Sequence, residues 1–424
     1  MVPATLLSCT GRLWYVPESP LQGRQKENHS LNLRAIFGGA LPLFVLGRFS
    51  HHILTAITVP LTPFIRSAFN LDYTQSGLVV SAFTLAYGFG QLPAGWFADR
   101  IDPRKLMIVG ISGVALAGIL VGLSQNYGWM IVFLVLMGIL AGGYHPSAPP
   151  LISASVRPEN LGRAFGFHNI GGGASYFLAP LVAVAIANAW GWRNAYVALG
   201  IPTVAFGIAF YILLGHLNAR QKATPVPRSV KEDEGAPHRS EKRRLVVFLI
   251  LTTVISATIS STFSFIPLLM VDHFGVNKEM AASSLSVAYS AVFWASPLGG
   301  YLADRFGSVR MILAVSFIAG PAIFLLTVVP FGWALGALLL LFGVIIYTRM
   351  SASESFLIHQ TPVGSRSTIL GIYYFTAMEG GGILTPVVGY MIDHLDFTTA
   401  FAAAGGALLT VTLICSFWLW EKRK

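Results

Sequence analysis

The stretch GWFADRIDPRK, residues 95–105, sets two acids and three bases between two long apolar runs. The chain then says nearly the same thing 205 positions later as GYLADRFGSVR, residues 300–310. Charge so close to apolar sequence needs water on one side and a nonpolar phase on the other. The composition names that phase: 54% of the 424 residues are hydrophobic and 11% are charged, against about 25% charged in soluble domains. A bilayer core of about 30 Å is crossed by about 20 apolar helical residues. Such runs are expected at 35–64, 76–98, 105–124, 128–152, 163–188, 194–216, 244–270, 280–303, 310–329, 332–356, 367–391 and 397–420. They are too long and too poor in turn residues for the strands of a membrane barrel, which run to about 10 residues. The expected fold is therefore an all-α membrane protein with twelve transmembrane helices.

Charge placement orients the bundle. With the N-terminus inside, all but five of the 28 Lys and Arg fall in inner segments: Arg66, Arg193 and Lys278 lie opposite, and Arg48 and Arg349 lie within spans. The positive-inside rule then puts both termini in the cytoplasm of a plasma membrane, here a bacterial inner membrane. The net charge of +10 is topological and points to no nucleic-acid partner. Residues 1–31 read as a disordered tail rather than a signal peptide, 217–243 as a solvated linker, and 421–424 as a short cytoplasmic tail. Cys9 and Cys415 suggest neither a disulfide framework nor a thiolate metal site.

Sliding the chain by 205 residues superposes more than the charged loop. Phe69, Leu71 and Asp72 fall on Phe274, Val276 and Asn277, Gly138 falls on Gly343, and Gly166 on Gly371. Residues 32–216 and 244–420 are thus expected to be two six-helix copies of one unit, an arrangement known in transporters with a substrate site between the halves. The repeated loop resembles the signature of the major facilitator superfamily, and the resemblance spans all twelve helices. Location makes it a gate: Gly95 and Gly300 are expected to allow close helix approach. Asp99 and Asp304 would cap neighbouring helices or pair with Arg100, Arg104 or Arg305. In the first half, GRFSHHILT (47–55), GGYHPSAPP (142–150) and GRAFGFHNIGGGASYF (162–177) are similar to the fosmidomycin-resistance type of exporter. That resemblance implies an acid shortly after Ser50-His51, where this chain has Thr55, so the acid's proton role does not transfer.

Ionisable residues inside spans are costly, at least about 2.5 kcal/mol at mid-helix, and mark function by default. Arg48 lies fourteen residues past Arg34, or about 21 Å along a helix, with His51 and His52 on its face. Arg349 sits at mid-depth and aligns with Tyr144, next to His145. Arg48, His52, Tyr144, His145 and Arg349 are the expected substrate contacts, since two guanidiniums in one cavity select an anion through paired hydrogen bonds. Glu379, Glu354 and His51 are the candidate proton carriers; His168, Asn169, Gln91 and Tyr373 are weaker polar candidates. The sequence shows no P-loop, no nucleophile constellation and no metal-ligand cluster within the membrane, so neither an enzyme nor a cofactor is expected. A secondary transporter exporting a small organic anion or anionic drug is the leading expectation, with protons as the candidate coupling ion. Import or exchange is the alternative, and a non-turning-over receptor is the alternative from another class.

Overall fold

The computed structural model describes residues 40–98, 100–156, 161–220, 239–361 and 366–419. The expected tails and most of the linker lie outside the described residues, as do Asp99 and the residues around Arg157. The elements are α1 Leu41–Thr55, α2 Thr58–Phe69, α3 Tyr73–Ala98, α4 Pro103–Ile108, a π turn Val109–Gly113, α5 Val114–Leu123, α6 Tyr127–Ala141, α7 Tyr144–Ser155, α8 Leu161–Trp190 and α9 Trp192–Arg220. The second half contains α10 Arg239–Ser264, α11 Ile266–Asp272, α12 Lys278–Ser283, α13 Leu285–Tyr289, α14 Val292–Phe306, α15 Ser308–Val328, α16 Trp333–Gln360, α17 Arg366–His394 and α18 Phe397–Leu419.

Joined across short breaks, these make twelve crossings. The first is α1 with α2, the third α4 through α5, the fourth α6 with α7, the seventh α10 with α11, and the eighth α12 through α14. Proline causes two of the breaks. Pro60 and Pro146 each stand third in their helix, where the missing N–H is tolerated, but neither can donate to the carbonyl four residues earlier, Ala56 or Gly142. The first crossing runs past its expected end at 64, to Phe69, and stops where Asn70 takes a left-handed conformation (φ 50°).

The repeat is physical. Gly138 packs so closely on α3 that a Cβ there would fall 2.5 Å from the Phe83 carbonyl oxygen, and Gly343 packs even more tightly on the carbonyl of Ala288. Both members of that second pair lie 205 residues beyond the first. Each half keeps its own apolar core: Leu54, Ile57, Val79, Met130, Met137 and Tyr196 anchor the first, and Phe248, Leu269, Ile312, Phe342 and Phe401 the second. The outward faces carry exposed Ile201, Ile212, Leu213 and Phe417, as lipid contact requires. The halves meet along α3 with α17 and along α8 with α12 to α14.

The two ends of this seam differ. At the end opposite the repeated loops, Arg66 pairs with Asp272, which also accepts from Tyr73 Oη at 2.9 Å. Asp393 accepts from the backbone N–H groups of Tyr73 and Thr74, both at 2.8 Å, and from the Thr74 hydroxyl at 2.6 Å. At the motif end, a Cβ on Gly95 or Gly300 would meet nothing within 4 Å. The close approach expected of these two glycines is therefore not made in this conformation, because the seam is open there. Arg100 bonds the Trp96 carbonyl and lies over its ring, and Arg305 bonds Tyr301 Oη. Arg104 pairs with Asp102, and its guanidinium holds the Asp102 carboxyl below the usual range.

Candidate functional site

A knot of glycines positions the first half of the site. Gly110, within the π turn, lies against the backbone of Tyr144, 2.6 Å from its nitrogen as a Cβ would measure it. Any side chain there would push α7 away. π turns recur at functional sites, and this one presents the Gly110 carbonyl to His51 Nδ1 at 2.8 Å. A carbonyl only accepts, so Nδ1 carries the proton; Nε2 of neutral His51 is then the acceptor for Tyr87 Oη at 3.1 Å. The Tyr144 ring stacks on His51 with centroids 4.4 Å apart and reaches His168 Nε2 with its hydroxyl at 3.3 Å.

His52 is almost fully buried, and its Nδ1 approaches the Thr55 hydroxyl at 3.4 Å. Its Nε2 has no partner. His145 leaves α7 one residue after Tyr144, its ring 5.4 Å from that of His52 and 6.0 Å from that of His51. Arg48 lies beside them, its Nε in the space a Cβ on Gly172 would occupy and itself unpartnered. Tyr176, one turn beyond Gly172, spans the seam: its ring lies 5.2 Å from His52 and 5.4 Å from Tyr289 of the other half.

The second half contributes Arg349, which donates from Nη1 to Ser256 Oγ at 2.8 Å and leaves Nε buried without a partner. Glu354 accepts from Tyr374 Oη at 2.7 Å and lies within electrostatic reach of both Arg349 and Arg48. Glu379 is 6% exposed and fills the notch left by Gly88 of α3, across the seam, with neither carboxylate oxygen hydrogen-bonded. Among the described residues, no ion pair joins either arginine to Glu354 or Glu379. Burying a charged group without a partner is costly, so these unpartnered atoms are the chemical signal of the site.

The structure thus gathers His51, His52 and His145 beside Arg48 in the first half, with Arg349 on Ser256 and Glu354 on Tyr374 in the second and Glu379 at the seam. Tyr144 is fully buried, with its ring stacked on both His51 and His168. One expectation changes. The three histidines do form a cluster of metal-ligand geometry, with one ligand nitrogen from each within 4.8 Å of the others, which their sequence separation had hidden. His51, held at both ring nitrogens, has less freedom to carry protons than Glu379. His168, one of the weaker polar candidates, belongs to the same network through Tyr144. Sequence reasoning missed Tyr87, Tyr176, Ser256 and Tyr289. Of these, Tyr176 had a usable signal, since it follows Gly172 by four residues and shares its face.

Comparison with known proteins places the chain in a family. The "Probable sulfoacetate transporter SauU" of Cupriavidus necator is 25% identical over 382 residues, covering 84% of this chain and 87% of that protein. The "Fosmidomycin resistance protein" of Escherichia coli is 23% identical over 377 residues, covering 86% and 88%. Among solved structures, a bacterial homologue of the human lysosomal transporter Spinster, inward-facing and occupied, superposes with a TM-score of 0.72 at 17% identity over 90% of this chain and 95% of that one. A POT family transporter in complex with 5-aminolevulinic acid gives 0.76 at 13% identity, over 89% and 96%. The sequence model of the Major Facilitator Superfamily matches residues 44–386 and 248–424. The chain is a member of the Major Facilitator Superfamily, a multi-pass membrane transporter and not an enzyme.

Proposed function

We propose that this transporter carries a small organic anion between Arg48 and Arg349 by alternating access, with export against a proton gradient as its direction. The observation that carries the reading is a pair of guanidinium Nε donors, one from each half, buried without hydrogen-bond partners. A guanidinium keeps its charge at any working pH and binds carboxylate, sulfonate or phosphonate groups in paired geometry. The relative whose name gives sulfoacetate as its substrate is consistent with that chemistry. Glu379 is the proton carrier in this reading. It is an acid at the seam between the halves, with no counter-ion to hold its charge constant through the cycle. His52 and His145 complete the substrate wall, and the motif end faces the cytoplasm with both termini.

The gate follows from the glycines. Gly95 of α3, Gly166 of α8, Gly300 of α14 and Gly371 of α17 are related in pairs by the repeat and have open space at the Cβ position. They lie on the helices that form the two seams. In the alternate state, Gly95 would close toward Gly371 and Gly166 toward Gly300, while the seam at the opposite end parts. Asp99 and Asp304, with Arg100 and Arg305, would then cross-link the closed motif end.

The test is counterflow in proteoliposomes with a panel of carboxylates, sulfonates, phosphonates and cationic drugs, with and without an imposed pH gradient. Anion flux lost in both Arg48→Lys and Arg349→Lys, with the folded protein retained, supports direct contact. Flux of cations alone, or full activity in Arg48→Gln, overturns it. The sign of the pH-gradient effect distinguishes antiport from symport, and binding without flux would favour the receptor reading.

A further inference from the structure

We propose that His51, His52 and His145 form a binding site for a late first-row divalent metal ion of the zinc class, with one coordination position left open toward Arg48 for an anion. The inference deepens the anion reading above and rests on it only for that last ligand. Three imidazoles from α1 and α7 offer one nitrogen each within 4.8 Å of one another. Metal–imidazole bonds of about 2.0–2.1 Å require such nitrogens to draw to roughly 3.3 Å apart in a tetrahedral site, a closure that small side-chain rotations supply. Imidazole suits Zn²⁺, Co²⁺, Ni²⁺ and Cu²⁺, and the absence of a carboxylate or thiolate in the cluster argues against Mg²⁺, Ca²⁺ or Cu⁺.

The hydrogen bonds select the right atoms. His51 donates from Nδ1 to the Gly110 carbonyl, the arrangement by which a protein fixes a ligating histidine with its Nε2 lone pair forward. That lone pair now meets only the hydroxyl of Tyr87, which can rotate away. His52 Nε2 is buried and has no partner at all. An imidazole nitrogen without a partner in a buried site is a cost that a metal would remove.

Arg48 shapes the affinity. It stands beside His52: both Arg48 Nε and His52 Cδ2 lie within 3.4 Å of the point a Cβ on Gly172 would occupy. A guanidinium there opposes a bare dication and favours one whose fourth ligand is an anion that Arg48 can bind in turn. Metal and anion are therefore expected to bind synergistically.

The experiment titrates Co²⁺ into the purified full chain, carrying an affinity tag without histidine, and reads the visible d–d absorption of a tetrahedral site with and without methylphosphonate. One equivalent of Co²⁺ is expected, competed by Zn²⁺ and tightened about tenfold by the anion. His145→Ala and His52→Ala should each weaken it at least about tenfold. His52→Cys should keep the site and add a thiolate charge-transfer band, which separates ligation from simple misfolding. Arg48→Gln should tighten anion-free binding and erase the anion effect. No band at millimolar Co²⁺, or a band unchanged in the His52→Ala/His145→Ala double variant, overturns the site, and an anion effect that survives Arg48→Gln overturns the open position. Because binding is read without flux, failed transport with intact Co²⁺ binding would sink the transport proposal alone, and anion flux in a wild-type chain that binds no Co²⁺ would sink this one alone.

Discussion

Helices α3 and α17 lie side by side, yet their two ends are built differently. At the end away from the repeated loops, a Cβ on Gly77 would fall 3.0 Å from the Thr385 carbonyl oxygen, and one on Gly389 would fall 2.5 Å from that of Tyr73. Asp393 also caps the first turn of α3 with three hydrogen bonds. At the motif end, Gly95 and Gly371 on the same two helices face open space. Glycine at a helix interface permits backbone contact; glycine in a helix facing nothing costs about 1 kcal/mol relative to alanine with no return. One end of the seam is thus packed backbone to backbone, while the other leaves both glycines facing open space, and Glu379 in the Gly88 notch lies between the two ends.

The comparison breaks most directly at its tightest point. Gly389→Leu would drive a side chain into the Tyr73 backbone, which cannot swing aside as a flexible side chain could. Overpacking of this kind costs about 1–3 kcal/mol, all of it in the state with the opposite end closed. Counterflow should fall at least about fivefold for a shift of that size, and a cysteine placed near the seam there should become more accessible to a membrane-impermeant thiol reagent. Unchanged accessibility would mean that this contact does not set the conformational balance.

Gly95→Leu sharpens the other side. A Cβ there meets nothing within 4 Å, so the melting temperature should stay at or slightly above wild type, with up to about 1 kcal/mol of helix propensity recovered. Transport should nevertheless drop because the motif end can no longer close. A variant that transports normally would show that no helix packs on Gly95 during the cycle.

Asp393→Asn keeps the shape and removes a charge from the N-terminus of α3. Loss of such a cap costs about 0.5–2 kcal/mol, so the closed end should open more often and the thermal midpoint should fall slightly, an effect weakened by salt. Arg66→Gln should do least. Both side chains of that pair are 26% accessible, and exposed pairs contribute about 0.2–1 kcal/mol. Melting curves at low and high salt would detect it, and a loss as large as that of Asp393→Asn would reverse the ranking of the two contacts.

The polar centre was partly legible in advance. Arg48, Arg349 and Glu379 stood out because a charge within an apolar run has few structural reasons to exist. Tyr87, Tyr176 and Tyr289 were missed because a tyrosine in a membrane span reads as well for lipid or packing as for a site. The metal-ligand arrangement was invisible for a simpler reason: His145 is more than ninety residues from His51 and His52, and no local spacing encodes their approach.

Periodicity and its absence, charge placement and the 205-residue repeat determined on their own that this chain crosses a membrane twelve times in two related halves, since hydration energies act on each segment whatever its neighbours do. Which end of the seam is closed was decided only in three dimensions. So was the meeting of three histidines around one point. Those outcomes depend on glycines letting particular backbones touch, and a glycine carries no mark in the sequence of the neighbour for which it makes room.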